Sequence, residues 1–168
     1  MKIGVLAVQG AFIEHEHIIE KIGHEVVEIR QRKDLDGIDG IILPGGESTV
    51  QGQLIRKLDM LATIKSLITD GLPTLATCAG LILLAGHIDN DDSIHIGTLP
   101  VTVKRNAYGR QLGSFVRTAP MKGFDKFPMT FIRAPYISSI KDNVDVLAAV
   151  DDRTVAVQYN NQIGLAFH

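Results

Sequence analysis

The sequence predicts an α/β chain with a mostly parallel central sheet, flanking helices and a strand-rich second half. Three observations carry this. Short, almost wholly aliphatic runs such as "KIGVLAV" (Lys2–Val8) suit strands buried on both faces. Through Gly86 these runs alternate with segments of helical spacing, the pattern of parallel strands joined by helices. Beyond Gly86 the helical spacing stops, and short β-rich runs follow between Gly, Asn and Asp.

The elements follow in order. After "KIGVLAV", Phe12, His15, Ile18, Ile19 and Ile22 mark one face of a helix that Gly23 closes. "HEVVEIR" reads as a second strand, and "GIDGIILPGG" as a third ending in a glycine turn. "STVQGQLIRKLDMLATIKSLITDG" has helical spacing in two segments and stops at Gly71, ahead of Pro73. "PTLAT" is a short strand, and "AGLILLAG" is a helix that begins directly after Cys78. "HIDNDDSIH" reads as a solvated acidic loop with no site in it. "TLPVTVKR", "SFVRTAP", "MTFIRAPY", "VDVLAAV", "TVAVQY" and "IGLAF" are the later strands. With no repeat or low-complexity linker, residues 1–168 read as one domain.

Composition narrows the function. The chain has 168 residues, 45% of them hydrophobic, which suits one sizeable core. A net charge of -2 with no Lys/Arg block argues against nucleic acid, as does the absence of tryptophan. No apolar run reaches the roughly 20 residues of a membrane span. The first strand begins at Lys2, leaving no room for a signal peptide. A single cysteine fits a reducing, cytoplasmic setting. Neither a metal nor a cofactor is expected, because the six histidines are scattered and "LPGGEST" lacks the lysine of a phosphate-binding loop.

Cys78 is the residue with the sharpest chemical question. At a tight strand-to-helix turn a side chain projects into solvent, where helix N–H groups lower a thiol pKa. The next N–H, that of Ala79, can serve as an oxyanion donor, and Gly80 permits the close approach such an elbow needs. The alternative is an inert thiol filling an apolar core. Gly45 and Gly46 followed by Glu47-Ser48-Thr49 supply backbone donors beside capping residues, which suits an anion or only a turn with an N-cap. A thiolate also needs a base. His15, His17 and His24 lie on or beside the first helix, where solvated histidines are ordinary, and His87 and His95 flank the acidic loop. His168 ends "QIGLAFH", so it and Cys78 both follow strands and can meet at the sheet's carboxyl edge.

"GVLAVQGAF", "LPGGEST", "TCAGLILLA", "RNAYGRQLGSF", "FIRAP" and "GLAFH" occur in that order over essentially the whole chain. Together they resemble the glutaminase subunits of pyridoxal phosphate synthase, which are class I, triad-type glutamine amidotransferases. The resemblance implies a flavodoxin-like three-layer fold. It implies hydrolysis of L-glutamine by a cysteine nucleophile, with ammonia passed to a partner synthase subunit for vitamin B6 synthesis. Carried over, Cys78 is the nucleophile and His168 its base. Gly46, Glu47, Ser48, Arg105, Ile132 and Arg133 contact substrate, while Gly45, Gly46 and Ala79 hold the oxyanion. Glutamine carries an α-carboxylate, which a guanidinium such as Arg105 or Arg133 would meet. A surface ion pair for Arg105, or a structural one for Arg133, is the plainer alternative. Gln9, at the first strand's end, is expected to order the oxyanion loop or to meet the partner.

Two features depart from the family pattern. Ala76 stands where the family usually has glycine two residues before the cysteine, which a backbone with negative φ would tolerate. The family continues past the histidine as His-Pro-Glu and a C-terminal helix, the glutamate orienting the imidazole, whereas this sequence ends at His168. The expectations are an incomplete chain, or a shortened subunit that only docks on the synthase, and an uncovered apolar sheet face in either case. A stand-alone cysteine hydrolase on a related sheet is less well matched, since no histidine directly follows Cys78.

Overall fold

A computed structural model describes residues 1–105 and 113–168, so most of "RNAYGRQLGSF" lies outside the described residues. The first half runs β1 (Lys2–Leu6), α1 (Ile13–Lys21), β2 (Glu25–Ile29), β3 (Gly40–Leu43), α2 (Ser48–Lys57), α3 (Leu61–Thr69), β4 (Thr74–Thr77) and α4 (Ala79–Leu84). The second half runs β5 (Ala85–Ile88), β6 (Leu99–Lys104), β7 (Ser114–Met121), β8 (Phe124–Ile132), β9 (Tyr136–Ile140), β10 (Asp145–Val150), β11 (Arg153–Tyr159) and β12 (Gln162–Leu165).

The large sheet is ordered β2-β1-β3-β4-β12-β11-β9-β6-β5, with β10 beside β11. Its first five strands are parallel neighbours. From β12 through β11 and β9 to β6 the pairing is antiparallel. The chain steps outward from β1 to β2 and then the other way from β3 to β4, so right-handed crossovers put α1 and α2 on opposite faces. Ligand crevices open at such a reversal, outside the carboxyl ends of the strands. The ends of β1, β3, β4 and β12 all lie along that edge.

The segment after β4 shows how the core sets the site. Every residue of α4 is buried, because this short helix contacts β3, β4, β12 and β5 as well as α2. A helix apolar all round has to be enclosed in this way. The helix is shorter than the run "AGLILLAG" predicts: it stops at Leu84, and Ala85–Ile88 becomes β5, paired with β6. "MTFIRAPY" is likewise two strands, because Arg133 turns to φ +45° and separates β8 from β9. Ala76 sits fully buried between Leu43 and Gly164 and is not among the positive-φ residues, so its methyl is accommodated.

Two further features frame the site. The β7–β8 hairpin forms a separate two-stranded sheet, and its Phe131 packs on Phe115 at 4.7 Å and against Phe167 at 5.7 Å. On the large sheet, Ile42, Leu75 and Ile163 stand in register and are only partly buried. With Ile3, Ile19 of α1 and Ile22 just past its end they line an open apolar hollow of about 360 Å³.

Candidate active site

The four parallel strand ends converge on a cleft of about 530 Å³. Cys78 leaves β4 at φ 49° and ψ −104°, a conformation rare for a residue with a side chain and typical of a functional turn. The turn is anchored by the Cys78 N–H, which donates to Leu165 O at 2.8 Å. A methyl on Gly80 would run into the Leu43 carbonyl, so glycine is what lets α4 start this close to β3. The thiol is not solvent-projecting as the turn alone predicts. Cys78 is only 7% exposed, and burial pushes its pKa up to about 11 against the opposing pull of the Ala79 N–H. Its Sγ lies 3.9 Å from Ile132 O.

His168 reaches the same cleft from β12. Phe167 is 1% exposed and anchors the strand's end, and the His168 N–H donates to Thr130 O at 2.8 Å. The imidazole lies over Gly45, where any Cβ would collide with its Cε1. Partial burial lowers the His168 pKa, opposed by the Glu14 carboxylate, so the ring is neutral at pH 7 and able to accept a proton. His15, which reads in sequence as an ordinary surface histidine, is half-buried beside it. Its pKa is lowered first by burial and then by the charge His168 can carry.

The loop after β3 forms a wall of the cleft. Its Glu47 N–H donates to Gln9 Oε1 at 2.9 Å, tying it to the end of β1. The Glu47 carboxylate caps α2 by accepting from the Thr49 N–H at 3.0 Å. Ser48 is 2% exposed, and its Oγ has no partner among the described residues. Arg105 reaches over this wall to Glu47 at 3.4 Å and to Asp91 at 3.5 Å. The acidic loop is therefore not a bystander: Asp91 holds the cleft's arginine, and His95 is buried against Gly52 of α2 with Nδ1 3.1 Å from Arg56 Nη1. Arg133 is exposed, with its N–H donating to Gly113 O at 2.6 Å.

Gly45, Gly46, Glu47, Ser48, Cys78, Ala79, Arg105, Ile132, Arg133 and His168 thus all line one cleft. Ala11 and Ile82 line it as well, and no sequence signal marked them. Gln9 stands behind the wall. Among the described residues no cluster of His, Cys, Asp and Glu is suited to holding a metal ion, and no helix is long and apolar enough to cross a membrane. A buried thiol, a neutral imidazole, backbone N–H donors and an arginine around one hollow are the equipment of cysteine-dependent acyl transfer.

Residues 5–168 match the SNO glutamine amidotransferase family, and the chain belongs to it. Its relatives include the pyridoxal 5'-phosphate synthase subunit PdxT of Desulfitobacterium hafniense (strain DSM 10664 / DCB-2), 57% identical over all of this chain and 85% of the relative. The protein of the same name from Haemophilus influenzae (strain PittEE) is 52% identical over all of this chain and 90% of the relative. A crystal structure of a glutamine amidotransferase superposes with a TM-score of 0.94 at 36% identity, over 99% of this chain and 89% of that one. The structure of PurLQS from Thermotoga maritima shares the fold, with a TM-score of 0.74 at 20% identity over 99% of this chain and 86% of that one.

Proposed function

We propose that the chain is the glutaminase subunit of a pyridoxal phosphate synthase, hydrolysing L-glutamine to glutamate and ammonia for a partner synthase subunit. The observation that carries this is the cleft, which gathers Cys78, His168, the Gly45–Ser48 loop and Arg105 around one hollow. The glutamine amidotransferase family supports the substrate class, and the relatives named as subunits of pyridoxal 5'-phosphate synthase support the partner. We read residues 1–168 as one domain acting in the cytoplasm within a hetero-oligomer. The sheet shared by both halves and the unpaired thiol support that reading.

In this reading His168 takes the Cys78 proton, and the thiolate attacks the side-chain amide carbon of glutamine. N–H groups of the Gly45-Gly46 loop and Ala79 hold the oxyanion. The imidazolium then protonates departing ammonia, leaving a glutamyl thioester. His168 next takes a proton from water, which attacks the thioester and frees glutamate. Arg105 and Arg133 offer cations for the α-carboxylate, with Glu47 and Ser48 beside them. The Cys78 thiol, at a pKa of about 11, is protonated at neutral pH in the chain as described, so turnover requires His168 or a partner-induced change to ionise it.

The experiment is ammonia release from glutamine by the full-length protein with its synthase partner, comparing wild type with Cys78→Ala. Loss of release with retained docking supports the reading, and residual release in the variant removes Cys78 as nucleophile. A wild-type protein that docks without releasing ammonia would be a docking subunit only.

A further inference from the structure

The buried face of α2 carries Ser48, Gln51, Gly52 and Ile55, the i, i+3, i+4, i+7 stripe of a helix packed on a core. Gln51 is out of place in such a stripe. It is 0% exposed, and a fully buried amide is stable only when its polar atoms are satisfied. Its Nε2 meets that demand in an unusual way, donating to Gln9 O at 3.1 Å and to Pro44 O at 3.3 Å. One carbonyl belongs to the loop after β1 and the other to the loop after β3. The amide also lies against two glycines: a Cβ on Gly10 would come within 3.1 Å of Nε2, and one on Gly46 within 2.9 Å. Both glycines have positive φ, +104° and +155°, and a Cβ on either would also meet the opposite loop, Gly45 O at Gly10 and Gln9 Oε1 at Gly46. Gln51 Oε1 has no partner among the described residues.

We infer that Gln51 is a positioning residue of the oxyanion loop, a buried strut whose amide fixes the β3 loop against the β1 loop at the floor of the cleft. The inference rests on the glutaminase reading of that cleft. Two donated bonds join the loops from within, alongside the Ala11 N–H bond to Gly45 O at 2.9 Å and the Glu47 N–H bond to Gln9 Oε1. Oxyanion stabilisation depends on donors held in place before the charge develops, so a strut beneath Gly45 and Gly46 acts on the transition state more than on substrate binding. The orphaned Oε1 costs the fold, but loss of Nε2 would strand the Gln9 and Pro44 carbonyls, so an apolar side chain of similar shape lowers stability modestly. A glutamine kept here for structure alone predicts that fall in stability with the kcat of the folded protein unchanged.

The test is Gln51→Met in the full-length protein with its synthase partner, reading glutamine kcat, KM and the unfolding midpoint. The expected result, read well below the unfolding midpoint, is a kcat lowered about tenfold and a KM within twofold, roughly one hydrogen bond's worth of transition-state stabilisation, with a modest fall in midpoint from the two unpaired carbonyls. Gln51→Leu serves as the second variant if the methionine fails to fold. The rate of Cys78 labelling by an electrophilic glutamine analogue at saturation gives a readout independent of ammonia release. An unchanged kcat overturns the inference, as does a change confined to KM, an unchanged rate of Cys78 labelling at saturation, or a failure of both variants to fold. Absence of turnover in the wild type overturns the glutaminase reading and the inference together, whereas an active wild type with an indifferent Gln51→Met strikes the inference alone.

Discussion

The Cys78 N–H donates to Leu165 O at 2.8 Å, so the turn that carries the thiol is bonded to the strand that delivers His168. Both residues therefore take their positions from one pair of parallel strands, β4 and β12. Shifting either strand moves both groups together, which keeps thiol and imidazole in step.

Burial of Cys78 sets the pH dependence of its reactivity. Its pKa is pushed up to about 11, above the roughly 8.5 of a free cysteine. Alkylation of the folded chain by iodoacetamide should be slow at pH 7 and still rising above pH 9. Intact-mass kinetics check this, and a plateau near pH 8.5 would contradict it.

Two glycines separate site from scaffold. Gly45→Ala puts a methyl into the His168 imidazole, the end of a side chain that can swing away. Glutamine hydrolysis should fall at least tenfold by loss of base geometry, a 10² to 10⁴-fold term when complete, with little change in unfolding midpoint. Gly80→Ala puts its methyl into the Leu43 backbone carbonyl, which cannot swing. That variant should lose about 1–3 kcal/mol of stability, measured by urea unfolding.

Arg105 lies between the carboxylates of Glu47 and Asp91 at the cleft wall. If it receives the substrate carboxylate, Arg105→Met should raise the glutamine KM by about 10- to 150-fold, the range of one charge-assisted hydrogen bond. Steady-state kinetics with glutamine decide it, and an unchanged KM assigns Arg105 to the rim alone.

Acid should weaken the fold through its histidines. Burial lowers the pKa of His95, with Arg56 adding to it and Asp91 opposing, and burial lowers His15 and His168 too. Below pH 6.5 the unfolded chain takes up protons before the folded one does. Stability is therefore complete above the unfolded value and lost as pH falls toward the lowered folded values. The urea midpoint should drop between pH 7 and pH 5, and by less in His95→Gln.

Much of the site was legible because its parts sit at element boundaries. Cys78 closes a strand and opens a helix, and "LPGGEST" ends a strand in two glycines, so both project at the sheet's carboxyl edge whatever else the chain does. The acidic loop was misread, since nothing local says that Asp91 will face Arg105 or that His95 will bury against Gly52. No local signal sets Gln51 apart from the other polar positions of α2. Its role depends on two loops that meet only in the folded chain.

The sequence by itself determined the strand and helix order of the first half and the elbow at Cys78, which follow from periodicity and turn chemistry and so are local. Arg105, Ile132 and Arg133 were reached only through the resemblance to the glutaminase subunits. Only the tertiary structure decided that the thiol is buried and protonated, that His168 lies over Gly45, and that one glutamine amide spans two loops. Desolvation and hydrogen-bond partners are set by atoms distant in the chain, so they exist only once the sheet has brought those atoms together.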